Sequence, residues 1–514
     1  MRRPLLPLSL LTAAVILAGC TGEPAPSRPG GTVDDNTTMT LADSVEPSTL
    51  NPVQGFAPYG GSRMYDGLVD YTAGRTLKPV LATDLPQPSA DGRSWTVKLH
   101  ERVKFSDGSP LTAADVAAEY NEVLDPVVKT PLRPDFDMLA GVVAVDDLTV
   151  RFDLSFPFPS FPNRLVLGVI PHTASPTDPR PPGTGAYAVS GWDKGKQLVL
   201  GLNKNYYGVP PKVVKVTVVF VPDDATRIDR MKAGDFDGIE VPPQQAVAVA
   251  KFDGVKVITE DTADYRAVSL PAGSVTGDRS VRLALNFAVD RKDLIGTALG
   301  GKGTPAYTPM PDSLPEFVDP QATYRFDRSA AGRILDQAGW VAGADGVRAK
   351  GGVRAAFTVS YPAGDMERKA IAQAFAAQLR PVGFDVTAVA DAGAGAAPGA
   401  AQVVAGGDPF DPDLSLRAVL RSGGAANVTG YSDQSVDAAL DSAHKAADPA
   451  ARATAFRAVQ RAYIGDPSMV TLAFVTHTYA VHDNWSGSVA ITEPAVHGPL
   501  SWGPWWNLEA WTIR

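Results

Sequence analysis

The chain has 514 residues, 44% of them hydrophobic, and a formal net charge of −9. That supplies a sizeable core, and with no cluster or stripe of lysine and arginine it lacks the electrostatic footprint of a nucleic-acid binder. Cys20 is the only cysteine, which excludes an intrachain disulfide.

The chain opens with Arg2 and Arg3, then an apolar run from Leu5 to Leu17 thinned only by Pro7, Ser9 and Thr12, then Ala18-Gly19-Cys20. A charged start, a short apolar stretch and a small-residue cleavage site make a signal peptide over 1–19. The run is shorter than the about 20 apolar residues that span a bilayer. Leu17-Ala18-Gly19-Cys20 resembles the lipobox of bacterial lipoproteins, which makes Cys20 the lipidation site and anchors the chain through two acyl chains. Residues 20–37, with Pro24, Pro26, Pro29, Gly22, Gly30 and Gly31, bury nothing and read as a flexible tether. The chain beyond the tether is long enough for about three domains, with no further stretch that could cross a membrane.

Period-2 alternation predicts strands at Trp95, Val97, Leu99; at Val150, Phe152, Leu154; at Leu198, Leu200, Leu202; and at Val216, Val218, Phe220. Thr112, with Asp115 three residues on, predicts a capping-box helix start before Val116, Tyr120, Val123 and Leu124. Asp448-Pro449 predicts another, with Phe456, Val459 and Tyr463 inward. Asp391 to Ala401 is rich in Ala and Gly and reads as a surface loop. The pattern is mixed α and β without a strict βαβ rhythm, and no fixed-period repeat is present.

Several segments, in order, resemble the extracellular solute-binding family 5, the oligopeptide- and dipeptide-binding proteins of ABC importers. Glu46-Pro47-Ser48-Thr49-Leu50-Asn51-Pro52 and Tyr65-Asp66-Gly67-Leu68-Val69 look like its opening strand and following helix. The block from Leu77-Lys78-Pro79-Val80 through Trp95-Thr96-Val97-Lys98-Leu99 to Val103-Lys104-Phe105-Ser106-Asp107-Gly108 is its most specific match. Gly183-Thr184-Gly185-Ala186-Tyr187, Val281 to Arg291, Phe326 to Trp340, and Gly430-Tyr431 continue it. The resemblance implies an α/β periplasmic-binding-protein fold of two lobes that close by a hinge. It assigns 38–66, 171–272 and 487–514 to the first lobe, 67–170 to an extra subdomain of that lobe, and 273–486 to the second lobe. It further implies a monomer outside the cell membrane that hands a small solute, above all a short peptide, to an ABC permease and its ATPase subunits.

In peptide-binding members a second-lobe strand pairs with the extended ligand, and an aspartate just after it holds the ligand's α-ammonium. By resemblance the strand falls on Val404-Ala405-Gly406 and the aspartate on Asp408, with Phe410 following. A charge-assisted carboxylate bond offsets the cost of burying an ammonium, and backbone pairing selects peptides as a class. Beside Pro409, Asp408 also fits a turn-former. Two features depart from the family: Ala405 stands where a tryptophan is usual, and Tyr361 to Met366 holds no arginine to clamp a carboxylate. Phe56, Tyr59 and Trp502, with Trp505 and Trp506, are aromatic candidates for the first-lobe wall or for packing.

Signatures of chemistry are broken. Gly296 to Lys302 begins like a phosphate loop, but Gly303 stands where a Ser or Thr must be, and the glycines read as the end of a helix holding Leu294 and Ile295. His100-Glu101 lacks its second zinc-ligating histidine, and His477 and His482 are five apart, off one helical or strand face. No G-x-S-x-G elbow exists, and Asp146-Asp147 and Asp223-Asp224 are ordinary pairs in an acidic chain. The expectation is therefore no catalytic residue, no cofactor and no resident metal. A non-peptide solute, a sensory co-receptor on the same fold, and an exported lipoprotein hydrolase whose nucleophile and base meet only in three dimensions remain as alternatives.

Overall fold

The computed structural model describes residues 37–391 and 400–514. The expected signal segment, the expected lipidation site Cys20, the expected tether up to Asn36 and most of the segment expected as a loop at 391–401 lie outside the described residues. No helix among the described residues is long and apolar enough to cross a membrane.

Local patterning accounts for most elements. Trp95 and Val97 are buried on Ser94–Lys98, Val150, Phe152 and Leu154 on Thr149–Leu154, and Leu198 and Leu200 on Gln197–Leu202, because alternate side chains of a strand share one face. Helix Ala113–Leu124 starts where Thr112 donates its N–H and its hydroxyl to Asp115 Oδ2, at 2.7 and 2.8 Å. Asp448 caps helix Pro449–Tyr463 by accepting from Ala451 N at 2.7 Å, and Phe456, Val459 and Tyr463 are buried. Helix Arg291–Ala298 ends in Gly300 and Gly301, both at positive φ, with Gly301 N donating to Ile295 O. The phosphate-loop lookalike is a helix terminus.

The opening strand and helix expected at 46–52 and 65–69 are displaced. The first strand is Thr38–Asp43; the chain then runs irregularly into a short 3₁₀ turn at Pro52–Gln54, and from Tyr65 it extends into strand Val69–Tyr71. Pro47 and Pro52 withhold N–H groups from any ladder. Around Asp66 the backbone is satisfied from a neighbouring segment, with Val69 N donating to Leu165 O and Val169 N to Asp66 O, so no helix is needed to pair it.

Two sheets define the lobes. The first runs in the order Thr492–Glu493, Val255–Thr262, His477–His482, Gly238–Glu240, Thr38–Asp43, Lys215–Phe220, Gln197–Leu202, Tyr187–Asp193. The second runs Gly303–Pro305, Met469–Val475, Tyr265–Ser269, Ala401–Gly406, Ala356–Pro362, Asp385–Asp391. A small four-stranded sheet, Gln87–Pro88, Ser94–Lys98, Thr149–Leu154, Leu139–Asp146, shares a continuous core with the first lobe through Leu41, Phe105, Phe152 and Trp505. Separate clusters around Phe375 and around Phe456 fill the second lobe.

The chain crosses between the sheets twice. Val255–Thr262 gives way through Ala263 and Asp264 to Tyr265–Ser269, and Met469–Val475 returns through Thr476 to His477–His482. Strand 265–269 thus belongs to the second sheet and 477–482 to the first, on the far sides of the boundaries expected at 272 and 486. One strand hands over to the next across one or two residues, with no Pro/Gly-rich linker to mark the change.

Candidate ligand site between the lobes

The crossings form a charged hinge. His477 is buried, with Nδ1 2.6 Å from Glu493 Oε2 and Nε2 3.1 Å from Asp264 Oδ2. Burial disfavours its charge, but the bonds to Asp264 and Glu493 outweigh it and push the ring up to about 10, so it is an imidazolium at neutral pH. Asp264 also pairs with Arg266, which reaches Glu367 at 2.5 Å. Despite burial, these cations hold the Asp264 carboxyl well below the usual range. Thr262 Oγ1 donates to Val475 O at 2.6 Å and ties the two crossing strands together.

Beside the hinge lies a cavity of about 550 Å³, within the size range of small-ligand sites. The first lobe lines it with Asp43, Phe56, Asp224, Arg227, Glu240 and His497, the second with Arg266, Pro362, Asp365, Glu367 and Arg368. Most of these charges are paired, Arg227 with Asp224 at 2.5 Å and Arg368 with Asp365 at 3.1 Å. Burial, only partly countered by the Val45 N–H, raises Asp43 to about 6. His497 stacks on His477 with ring centroids 3.7 Å apart; its Nδ1 donates to Ala495 O at 3.0 Å, leaving Nε2 3.3 Å from Glu240 Oε1. Glu240, His477 and His497 bring their ligating atoms within 4.8 Å of one another.

Strand Ala401–Gly406 offers backbone. One edge pairs from Val403 to Gly406 with Val268 to Tyr265, whereas on the other edge Ala356–Pro362 pairs only at Ala401 and Gln402. Gln402 N donates to Ser269 Oγ and Gly406 N to Asp264 Oδ1. Alternation therefore turns the C=O of Val403 and both backbone groups of Ala405 toward the edge that the neighbouring strand has left.

After that strand the chain makes a turn only glycine can make. Gly407 has φ +130°, and a Cβ there would lie 1.9 Å from Ala263 O. The turn delivers Asp408, fully buried: Oδ1 accepts from Phe410 N at 2.5 Å and Asp411 N at 3.2 Å, while Oδ2 has no hydrogen-bond partner among the described residues. Burial, only partly offset by the two N–H groups, raises its carboxyl to about 7. The side chain is a turn-former on one oxygen and leaves the other uncommitted. Phe410 stacks on Tyr71 of the first lobe at 3.7 Å between centroids and leans on Trp502 at 5.0 Å.

The sequence-predicted residues thus fall in two groups. Asp408, Phe410 and Trp502 converge with Tyr71, and the phenol of Tyr59 is raised by burial first and by the Asp408 charge second. Phe56 lines the cavity beside the hinge instead, whose lining does not include Val404, Ala405 or Asp408. Trp505 is core, edge-on to Tyr479 at 5.3 Å. Sequence reasoning missed Asp43, Arg227, Glu240, Arg266 and His497, which the fold gathers around one cavity from segments far apart in the chain. Arg368 was within reach, two residues past the Tyr361 to Met366 segment. His482, bonded to Gly254 O, is apart from the histidine pair; His477 meets His497.

A model of the bacterial extracellular solute-binding proteins, family 5 Middle, matches residues 76–427. Protein XP55 of Streptomyces lividans is 38% identical over 519 residues, covering 97% of this chain and 95% of that protein. The fold resembles NikZ from Campylobacter jejuni in complex with Ni(L-His), with a TM-score of 0.85 and 22% identity over 93% of this chain and 99% of that one. It also resembles the oligopeptide-binding protein AppA from Bacillus subtilis in complex with a nonapeptide, with a TM-score of 0.82 and 22% identity over 93% and 99%.

Proposed function

The chain belongs to family 5 of the bacterial extracellular solute-binding proteins, the solute-binding components of ABC importers, and from that premise we propose that it captures a short peptide with a free amino end. The observation that carries this reading is Asp408 Oδ2, a buried carboxylate oxygen without a partner among the described residues. An ammonium supplies the missing donor and charge. The open edge at Val403 and Ala405 supports it, since an extended peptide could add there as a further strand. Of the aromatic candidates, Trp502 and Phe410 close the wall near Asp408, Tyr59 borders it, and Phe56 faces the cavity where the rest of the ligand fits. Arg368 and Arg266 are the cations that could meet a carboxylate. We further propose that Cys20 is lipidated after removal of 1–19, that 20–37 tethers the body to the membrane, and that the protein acts as a monomer without catalysis. Calorimetry against tri- and tetrapeptides, each with free and N-acetylated termini, tests the reading. Binding lost on acetylation supports it; equal affinity for both forms removes Asp408 from the ligand site.

A metal chelate is a second reading, favoured by one local arrangement. His497 holds its Nδ1 proton on Ala495 O and presents Nε2 beside Glu240, the outer-shell pattern of a ligating imidazole. Because both nitrogens of His477 are engaged, His497 and Glu240 would supply the protein ligands and the chelator the rest. Ni(II) with free histidine, titrated calorimetrically, tests it: heat lost in His497→Ala favours the chelate, and no heat in the unaltered protein removes it.

A further inference from the structure

The lobes also meet away from the hinge, where residues 135–164 of the small four-stranded unit face helices Pro412–Leu420, Gln434–Lys445 and Pro449–Tyr463 of the second lobe. Arg164, buried, places Nη2 3.1 Å from Asp413 Oδ2 and Nη1 3.7 Å from Asp411 Oδ2. On the second lobe, Arg452 holds Asp411 at 2.5 Å. The centre of this contact is His444, whose side chain is 2% exposed: Nδ1 lies 2.8 Å from Asp413 Oδ2 and Nε2 lies 2.8 Å from Asp137 Oδ1. The rings of Phe156 and Phe158 cover it, with centroids at 5.4 and 5.1 Å.

We propose that His444 is a proton-carrying latch: as an imidazolium it joins Asp413 of the second lobe to Asp137 of the first and holds the cleft closed, and losing the proton releases it. Valence requires the proton. A neutral imidazole has one N–H and one lone pair, so it can donate to only one of the two carboxylates and sets its lone pair against the other. Only the doubly protonated ring satisfies both contacts. Other charges also face the ring. Arg417 Nη1 stands 3.3 Å from both ring nitrogens and opposes the cation, but it is drawn to Asp137 at 3.0 Å and faces Asp441 at 3.8 Å. Asp441 also takes Arg421, Arg164 and Arg452 share Asp411, Asp135 adds a further acid on the small unit, and Lys445 comes next on the ring's own helix. Burial works against the charged ring, yet the bonds to Asp137 and Asp413 outweigh it and raise its pKa above the ordinary value.

Opening carries Asp137 away while Asp413 stays on the histidine's own lobe, so the ring relaxes toward the ordinary histidine value of about 6.5. The closed form therefore binds the proton more tightly. Its advantage is full below that ordinary value and is lost as pH rises through the raised closed-form value. The latch depends on no particular ligand.

Small-angle scattering of the full chain from about pH 5.5 to about pH 9, with no ligand added, reads the opening directly. The unaltered protein should expand as pH rises, and His444→Gln should lose that pH-dependent step. Because His444 packs in an aromatic pocket, Asp137→Asn is the second variant; its side chain is 41% exposed, so it removes the first-lobe partner without entering the core. It too should lose the step, and the proton titration of the His444 ring, followed by NMR, should shift to lower pH. A radius of gyration that stays constant with pH in the unaltered protein, or a step that persists in Asp137→Asn, overturns the proposal.

Discussion

At the scale of single residues, two buried ionisable groups make opposite demands. Asp408 is raised to about 7 because its Oδ2 is buried without a partner. An ammonium must bind its ionised form, so affinity for amine-bearing peptides should rise with pH through about 7, up to the range near 8 where a free amino terminus loses its own proton. Asp408→Asn should weaken such ligands by about 1 to 3 kcal/mol and flatten that rise, as calorimetry across pH would record. His477 is instead satisfied on both nitrogens by Asp264 and Glu493. Replacing it with glutamine removes the cation from buried Glu493 and leaves Asp264 only Arg266, and denaturant unfolding should show a loss of about 3 to 5 kcal/mol. Because its folded pKa lies above the unfolded one, the contribution of His477 is whole below about 6.5 and fades as pH rises through about 10.

At the scale of elements, Gly407 joins the open-edged strand Ala401–Gly406 to Asp408, and its Cα faces the carbonyl of Ala263 in the first crossing. Gly407→Ala combines a strained positive φ with a direct clash against backbone. It should cost more than about 1 to 3 kcal/mol in stability and weaken ligand binding along with it, whereas Gly423→Ala, also at positive φ but with open space around it, should show the backbone strain alone. Thermal unfolding of the two variants side by side separates the effects. These elements also mark how far the sequence could be read. Alternation and caps place strands Ser94–Lys98 and Thr149–Leu154 and helices Ala113–Leu124 and Pro449–Tyr463, because those signals are local. The crossings at 263–264 and 476 carry no such signal, since a strand leaving one sheet for another keeps the same composition. The resemblance points to Asp408, and its turn-forming neighbours are visible in the chain. The cavity wall of Glu240, Arg266 and His497 is assembled from segments far apart in the chain, which no spacing rule reaches.

At the scale of the whole molecule, closure and capture share the segment from Asp408 to Asp413. On the proposed reading Asp408 offers its unpartnered oxygen to the ligand; Phe410 stacks across the cleft on Tyr71, Gly407 O accepts from Ala495 N, and Asp411 and Asp413 receive Arg164. A ligand that pairs with Asp408 thereby sits on the piece of the second lobe that closes, which gives it a differential affinity for the closed form. Phe410→Ala isolates the closing term, because Phe410 touches the first lobe through aromatic contact alone and leaves Asp408 its N–H from residue 410. Aromatic pairs contribute about 0.5 to 1.5 kcal/mol beyond area burial, so the closed-to-open ratio should fall by at least about 2- to 12-fold, with peptide affinity falling by the same factor where only the closed form binds. The loss should appear as faster dissociation with the association rate nearly unchanged, since encounter precedes closure, and scattering should show a larger radius of gyration without ligand. Affinity that falls while scattering of the ligand-free protein stays as before would place Phe410 against the ligand itself, and the stack on Tyr71 would then be the resting position of a side chain that ligand displaces.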